Sequence, residues 1–154
     1  DKLPINFYWI GFIKLMFPNS KVIHVKRNLK DVFLSLYKNN FGNSQMDWCY
    51  DERNILSFIK NYIEIMNFWK SRYENFIFDL QYESLIKNQI EVSRKLFKFC
   101  DIKWDKKIFD FYKSGKRINT ASISQVKKSI YNTSIDSNKK YIKKMSFLKK
   151  LEKI

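Results

Sequence analysis

Arg27 and Ser35 are the pair whose types and spacing can do chemistry. A planar guanidinium offers paired N–H donors that match phosphate oxygens, and a hydroxyl can add another donor. Together they suit a phosphate group. A surface arginine and an ordinary helix serine are the competing description of the same two residues.

The elements around them decide whether they converge. Val22, Ile23 and Val25, introduced by the turn Pro18-Asn19-Ser20, read as a short buried strand. Asn28 is a good N-cap, and Asp31 three residues later makes a variant of the capping box. Leu29, Val32, Phe33, Leu36 and Tyr37 then repeat at helical spacing. Arg27 therefore falls at the carboxyl end of a strand, beside the N–H groups of a helix N-terminus. Ligands of open α/β sheets bind there, and anions are attracted to such termini. Ser35 is placed on the polar face of the helix with Asp31 and Lys38.

The rest of the chain reads as alternating elements. Residues 6–16 predict a helix that Pro18 ends. Residues 39–47 predict a loop, with Trp48, Cys49 and Tyr50 either anchoring it or forming a flap over a cleft. Residues 52–73 are a long amphipathic helix, and 76–80 a second strand. The connection between the strands is a crossover, which predicts that they are parallel. Tyr82-Glu83-Ser84-Leu85 reads as a turn, followed by helices over 88–100 and around Trp104 to Tyr112. From Gly115 a basic, hydroxyl-rich loop begins, and residues 139–154 form a helical tail with Tyr141, Met145, Leu148 and Leu151 on one face.

Composition bounds the alternatives. The 154 residues, 45% hydrophobic and 18% aromatic, are enough for one domain or a piece of one and argue against disorder. The formal charge of +15 invites a polyanionic cofactor or a nucleic-acid surface. Abundant Lys, Asn, Ile, Phe and Tyr together also fit a bias toward A and T in the codons. Cys49 and Cys100 lack metal-site spacing and read as free thiols of a reducing, cytoplasmic compartment. His24, the single histidine, falls inside the strand and reads as a packed residue. Residues 5–17 are too short, and interrupted by Lys14, to span a membrane.

Five segments, in order, resemble the carboxyl-terminal portion of the sulfotransferase domain. They are Asp1-Lys2-Leu3-Pro4-Ile5-Asn6-Phe7, Phe17 to Ile23, Arg27 with Ser35, Tyr82-Glu83-Ser84-Leu85, and Thr120 to Val126. The resemblance is nearest to bacterial sulfotransferases fused to tetratricopeptide repeats and to tyrosylprotein sulfotransferases. It implies a helix-rich α/β domain of P-loop-like, three-layer type, with a parallel sheet flanked by helices. Residues 1–154 would be part of that domain, with a core over 1–115 and a basic loop and tail helix over 116–154.

The resemblance also implies transfer of a sulfuryl group from 3′-phosphoadenosine-5′-phosphosulfate (PAPS) to a hydroxyl or amine, with no metal. The acceptor would be a protein tyrosine, a carbohydrate or a small molecule. Arg27 and Ser35 would hold the 3′-phosphate and Tyr82 the adenosine. Ser122 would lie near the bridging part of the donor, and Lys2 would act catalytically on the leaving phosphate. Two departures stand out. Asp136-Ser137-Asn138 replaces the family's glycine, basic residue and tryptophan, leaving Lys139 or Lys140 to supply the charge. No Gly-rich 5′-phosphosulfate loop precedes Lys2, and the family's general base also lies upstream, so this chain alone is expected to be inactive. The alternatives are an inactive nucleotide- or partner-binding module of the same fold and a basic nucleic-acid-binding domain.

Overall fold

A computed structural model describes residues 3–41, 44–113, 135–142 and 144–153. Two parallel strands, β1 (Val22–Lys26) and β2 (Ile77–Gln81), form its sheet, with Val22 opposite Ile77 and His24 opposite Asp79. The α-helices are α1 (Ile10–Met16), α2 (Leu29–Lys38), α3 (Glu52–Arg72), α4 (Tyr82–Lys87) and α5 (Gln89–Phe99). This is the helix-rich α/β arrangement with a parallel sheet that the crossover predicts.

Helix α2 starts where its cap residue dictates. The Asn28 side chain accepts from the N–H groups of Lys30 and Asp31, satisfying two first-turn donors. Asp51 caps α3 in the same way, accepting from Arg53 and Asn54. Because α3 is long, it serves two apolar clusters. Near its start, Ile55 and Ile59 pack with Phe33 of α2 and with Phe147, Leu148 and Leu151 of the tail. Farther along, Met66 packs with Phe7, Ile10 and Phe76. Burying each such aliphatic or aromatic side chain contributes about 1.5–3 kcal/mol, so the tail is held by its apolar residues.

Several elements differ in kind from the sequence expectation. The first helix opens as a 3₁₀ turn over Pro4–Trp9 before becoming α-helical. The expected turn after β2 is the short helix α4. The helical tail takes 3₁₀ form over Ser137–Lys140 and Ser146–Lys153. Three residues per turn stacks Leu148 directly above Leu151, which puts both in the core, whereas Tyr141 stays 37% exposed. The loop residues act as anchors. Cys49 is fully buried, Trp48 stacks on Phe58 at 4.4 Å, and the Tyr50 hydroxyl accepts from the Phe41 N–H.

Strand β1 is buried on one face only. Ile23 and Val25, read from the sequence as part of a buried strand, are 42% and 57% exposed. Trp9, Phe12 and Phe17 are exposed as well. Among the described residues, no helix is long and apolar enough to cross a membrane.

Candidate functional site

Lys26 and Gln81 are the last register partners of the two strands, so Arg27 and Tyr82 follow one step beyond them, side by side. The Arg27 guanidinium carbon lies 5.6 Å from the centre of the Tyr82 ring, within cation–π range. Both side chains are half-buried. Beneath them, the Asn28 N–H donates to Glu83 Oε1 at 2.8 Å, and Gln81 Nε2 donates to Glu83 Oε2 at 2.5 Å. Burial opposes ionisation of Glu83, but the Asn28 and Gln81 donors and the Arg27 charge hold its carboxyl below the usual value. The bends that follow the two strands are thus locked together, and a cation and an aromatic face emerge from them.

Ser35 is half-buried on α2, and its hydroxyl accepts from Asn39 Nδ2 at 3.5 Å. Six residues separate it from Leu29, about 9 Å along the helix axis. Two expectations about its helix require correction. The Lys30 and Asp31 N–H groups are occupied by Asn28, so they do not form an open anion site. Asp31, expected on the polar face beside Ser35, is only 1% exposed.

Asp31 is buried because the tail reaches it. Its Oδ1 accepts from Ser137 Oγ (2.9 Å), the Asn138 N–H (2.8 Å) and Asn138 Nδ2 (2.9 Å). Its Oδ2 accepts from the Asp136 N–H at 2.9 Å. Burial alone would raise the Asp31 carboxyl, yet the Asn138, Ser137 and Asp136 donors hold it below its ordinary value. Asp136, where the sequence resemblance leads one to expect glycine, stands in the left-handed region with φ 59° and ψ 18°. Lys139, one of two lysines expected to replace the family's basic residue, points Nζ at Asp136 Oδ2, 2.7 Å away.

A second polar cluster lies under α3. The His24 ring meets Asp79 Oδ1 through Nδ1 at 2.7 Å and the Tyr62 hydroxyl through Nε2. Lys70 and Lys26 approach the other Asp79 oxygen at 2.5 and 3.4 Å. Burial lowers the His24 pKa despite Asp79, and burial with the nearby Asp79 charge pushes Tyr62 up to about 12. The His24 side chain is 9% exposed, consistent with a packed residue.

Of the predicted site residues, the structure brings Arg27 and Tyr82 together and sets Ser35 on the helix that follows Arg27. Lys2 and Ser122 lie outside the described residues. Sequence reasoning missed the part played by Glu83. The register would have revealed it, since parallel strands ending in step must place residues 27–28 beside 82–83. Among the described residues, no three His, Cys, Asp or Glu side chains are grouped to hold a metal ion.

A half-buried arginine and an aromatic ring thus stand side by side at the carboxyl ends of two parallel strands in an α/β arrangement. The chain belongs to the sulfotransferase family, whose profile matches residues 1–106. A curated protein of Aquifex aeolicus (strain VF5), described as uncharacterized, is 40% identical over 145 residues. That match covers 93% of this chain but 19% of the relative's length.

Proposed function

We propose that the intact protein is a PAPS-dependent sulfotransferase and that this chain supplies the 3′-phosphate half of its donor site. The observation that carries this reading is the pairing of Arg27 with Tyr82 at the ends of β1 and β2. A nucleotide with a 3′-phosphate needs a planar cation for the phosphate and a flat apolar face for the nucleoside, and these residues fit both needs. Arg27 and Ser35 hold the 3′-phosphate, and Tyr82 lies against the adenosine. When bound, PAPS supplies the sulfuryl group that passes to a hydroxyl or amine acceptor. Ser122 serves the bridging region of the donor. Lys2 meets the negative charge that accumulates on the leaving phosphate, a role that binds the transition state better than the ground state.

One observation favours the rival reading, a binding module without catalysis. At the positions where the family has glycine, a basic residue and tryptophan, Ser137 and Asn138 are engaged with Asp31, and Lys139 is paired with Asp136. Calorimetry on the intact protein tests the site. Arg27→Ala should weaken adenosine 3′,5′-bisphosphate by about tenfold or more and leave adenosine 5′-monophosphate nearly unchanged, because a charge-assisted bond contributes about 1.5–3 kcal/mol. Equal losses for both ligands would remove Arg27 from that role. Lys2→Ala separates enzyme from module: kcat should fall about 10²–10³-fold with donor affinity retained. No measurable turnover in the unaltered protein, with bisphosphate binding intact, would favour the module.

A further inference from the structure

We propose that Asp31 is a positioning residue for the 3′-phosphate site, latching the tail segment Asp136–Asn138 onto the first turn of α2. The inference rests on the donor-site reading above. Asp31 sits in the first turn of α2, one turn before Ser35, and Arg27 lies just ahead of the Asn28 cap of the same helix. Its carboxylate takes donors from Asp136, Ser137 and Asn138, more than 100 residues away in the chain. On the opposite side, the same turn is fixed through Asn28 to Glu83 of α4. The turn between Arg27 and Ser35 is therefore held at two points, by Glu83 of α4 and by the tail.

The latch is specific in its chemistry. One oxygen receives three donors and the other receives one, so no other side chain of this size satisfies the set. An amide in place of the carboxylate would keep the Oδ1 contacts but turn an N–H₂ group toward the Asp136 N–H, setting donor against donor. The first turn of α2 would then shift relative to the tail and move Ser35 with respect to Arg27. Apolar packing of Leu148 and Leu151 would still hold the tail in place. The latch thus tunes geometry at the phosphate more than attachment of the tail.

The readout is the preference of the intact protein for adenosine 3′,5′-bisphosphate over adenosine 5′-monophosphate, measured by calorimetry well below each variant's melting temperature. Asp31→Asn, Ser137→Ala and Asn138→Ala should each reduce that preference, Asp31→Asn by about tenfold, the size of one displaced charge-assisted bond. Asp51→Ala, which removes the side-chain cap of α3, is the control for general destabilisation and should leave the preference intact. If Asp31→Asn does not fold, the two tail variants carry the test. Lowered melting temperatures with an unchanged preference would make Asp31 merely structural and overturn the proposal. A preference absent from the unaltered protein would overturn it too, through failure of the donor-site reading, which the Arg27→Ala comparison identifies separately.

Discussion

The Arg27 guanidinium carbon stands 5.6 Å from the centre of the Tyr82 ring, joining the ends of two parallel strands by a cation–π contact. Such contacts contribute about 0.5–1 kcal/mol when exposed and about 2 when desolvated. Tyr82→Leu should therefore weaken adenosine 3′,5′-bisphosphate by roughly five- to tenfold, through a less well-oriented guanidinium. Tyr82→Phe keeps the ring and should stay within about twofold. Calorimetric titration of both variants checks this; a larger loss for Phe than for Leu would assign the effect to the hydroxyl.

Gly11 in α1 faces the indole of Trp69. A Cβ there would lie 2.6 and 2.7 Å from Trp69 Cη2 and Cζ3. The ring cannot easily yield, because its Nε1 donates to the Phe7 carbonyl at 2.8 Å and it stacks on Tyr73. Overpacking of this kind costs about 1–3 kcal/mol, against a gain of up to about 1 from better helix propensity. Gly11→Ala should lower the denaturation midpoint, and its cost should shrink in a Trp69→Phe background. Additive effects in that double-mutant cycle would show that the two residues do not press on each other.

The His24 cluster makes stability depend on pH in two windows. His24 is faced by Tyr62 and Lys70 from α3, Asp79 from β2 and Lys26 from its own strand. Its folded pKa lies below 6.5, so the unfolded chain binds its proton first and stability falls as pH drops below about 6.5. Asp31 and Asp79 have folded values below 3.8, so their contributions persist above that value and are lost as pH falls through the lower folded ones. Melting temperature against pH should show both declines. His24→Asn, which keeps a donor for Asp79 and does not titrate, should abolish the upper one.

Asp136 occupies a left-handed conformation, φ 59°, that glycine adopts without cost. Asp136→Ala should be less stable than Asp136→Gly by about 1 kcal/mol, measured by chemical denaturation. Loss of the exposed Lys139 pair is common to both variants and contributes little. Equal stabilities would mean that the turn relaxes to another conformation.

What the sequence made legible was local. Asn28 announced the start of α2 because a cap is a short-range signal, and the apolar spacing from Ile55 to Met66 announced α3. The parallel pairing followed from the crossover alone. What stayed hidden depended on distant partners. Asp31 looked like a solvated helix residue because the donors that bury it lie at Asp136 to Asn138. His24 read as simply packed because Tyr62 and Asp79 become its neighbours only once β1, β2 and α3 assemble. The tail's 3₁₀ geometry was masked by leucines at a spacing of three, which α- and 3₁₀-helices can both use to cover a core.

The phosphorus resonance of the 3′-phosphate in adenosine 3′,5′-bisphosphate tests the central claim most directly. Free phosphate monoesters lose their second proton near pH 6, and a guanidinium at contact distance favours the dianion. Bound to the intact protein, the 3′-phosphate should titrate about one unit or more below its free value, and Arg27→Ala should return it toward that value. A 3′-phosphate that titrates alike bound and free, or a shift that survives Arg27→Ala, would contradict the assignment of this chain to the 3′-phosphate half of a sulfotransferase donor site.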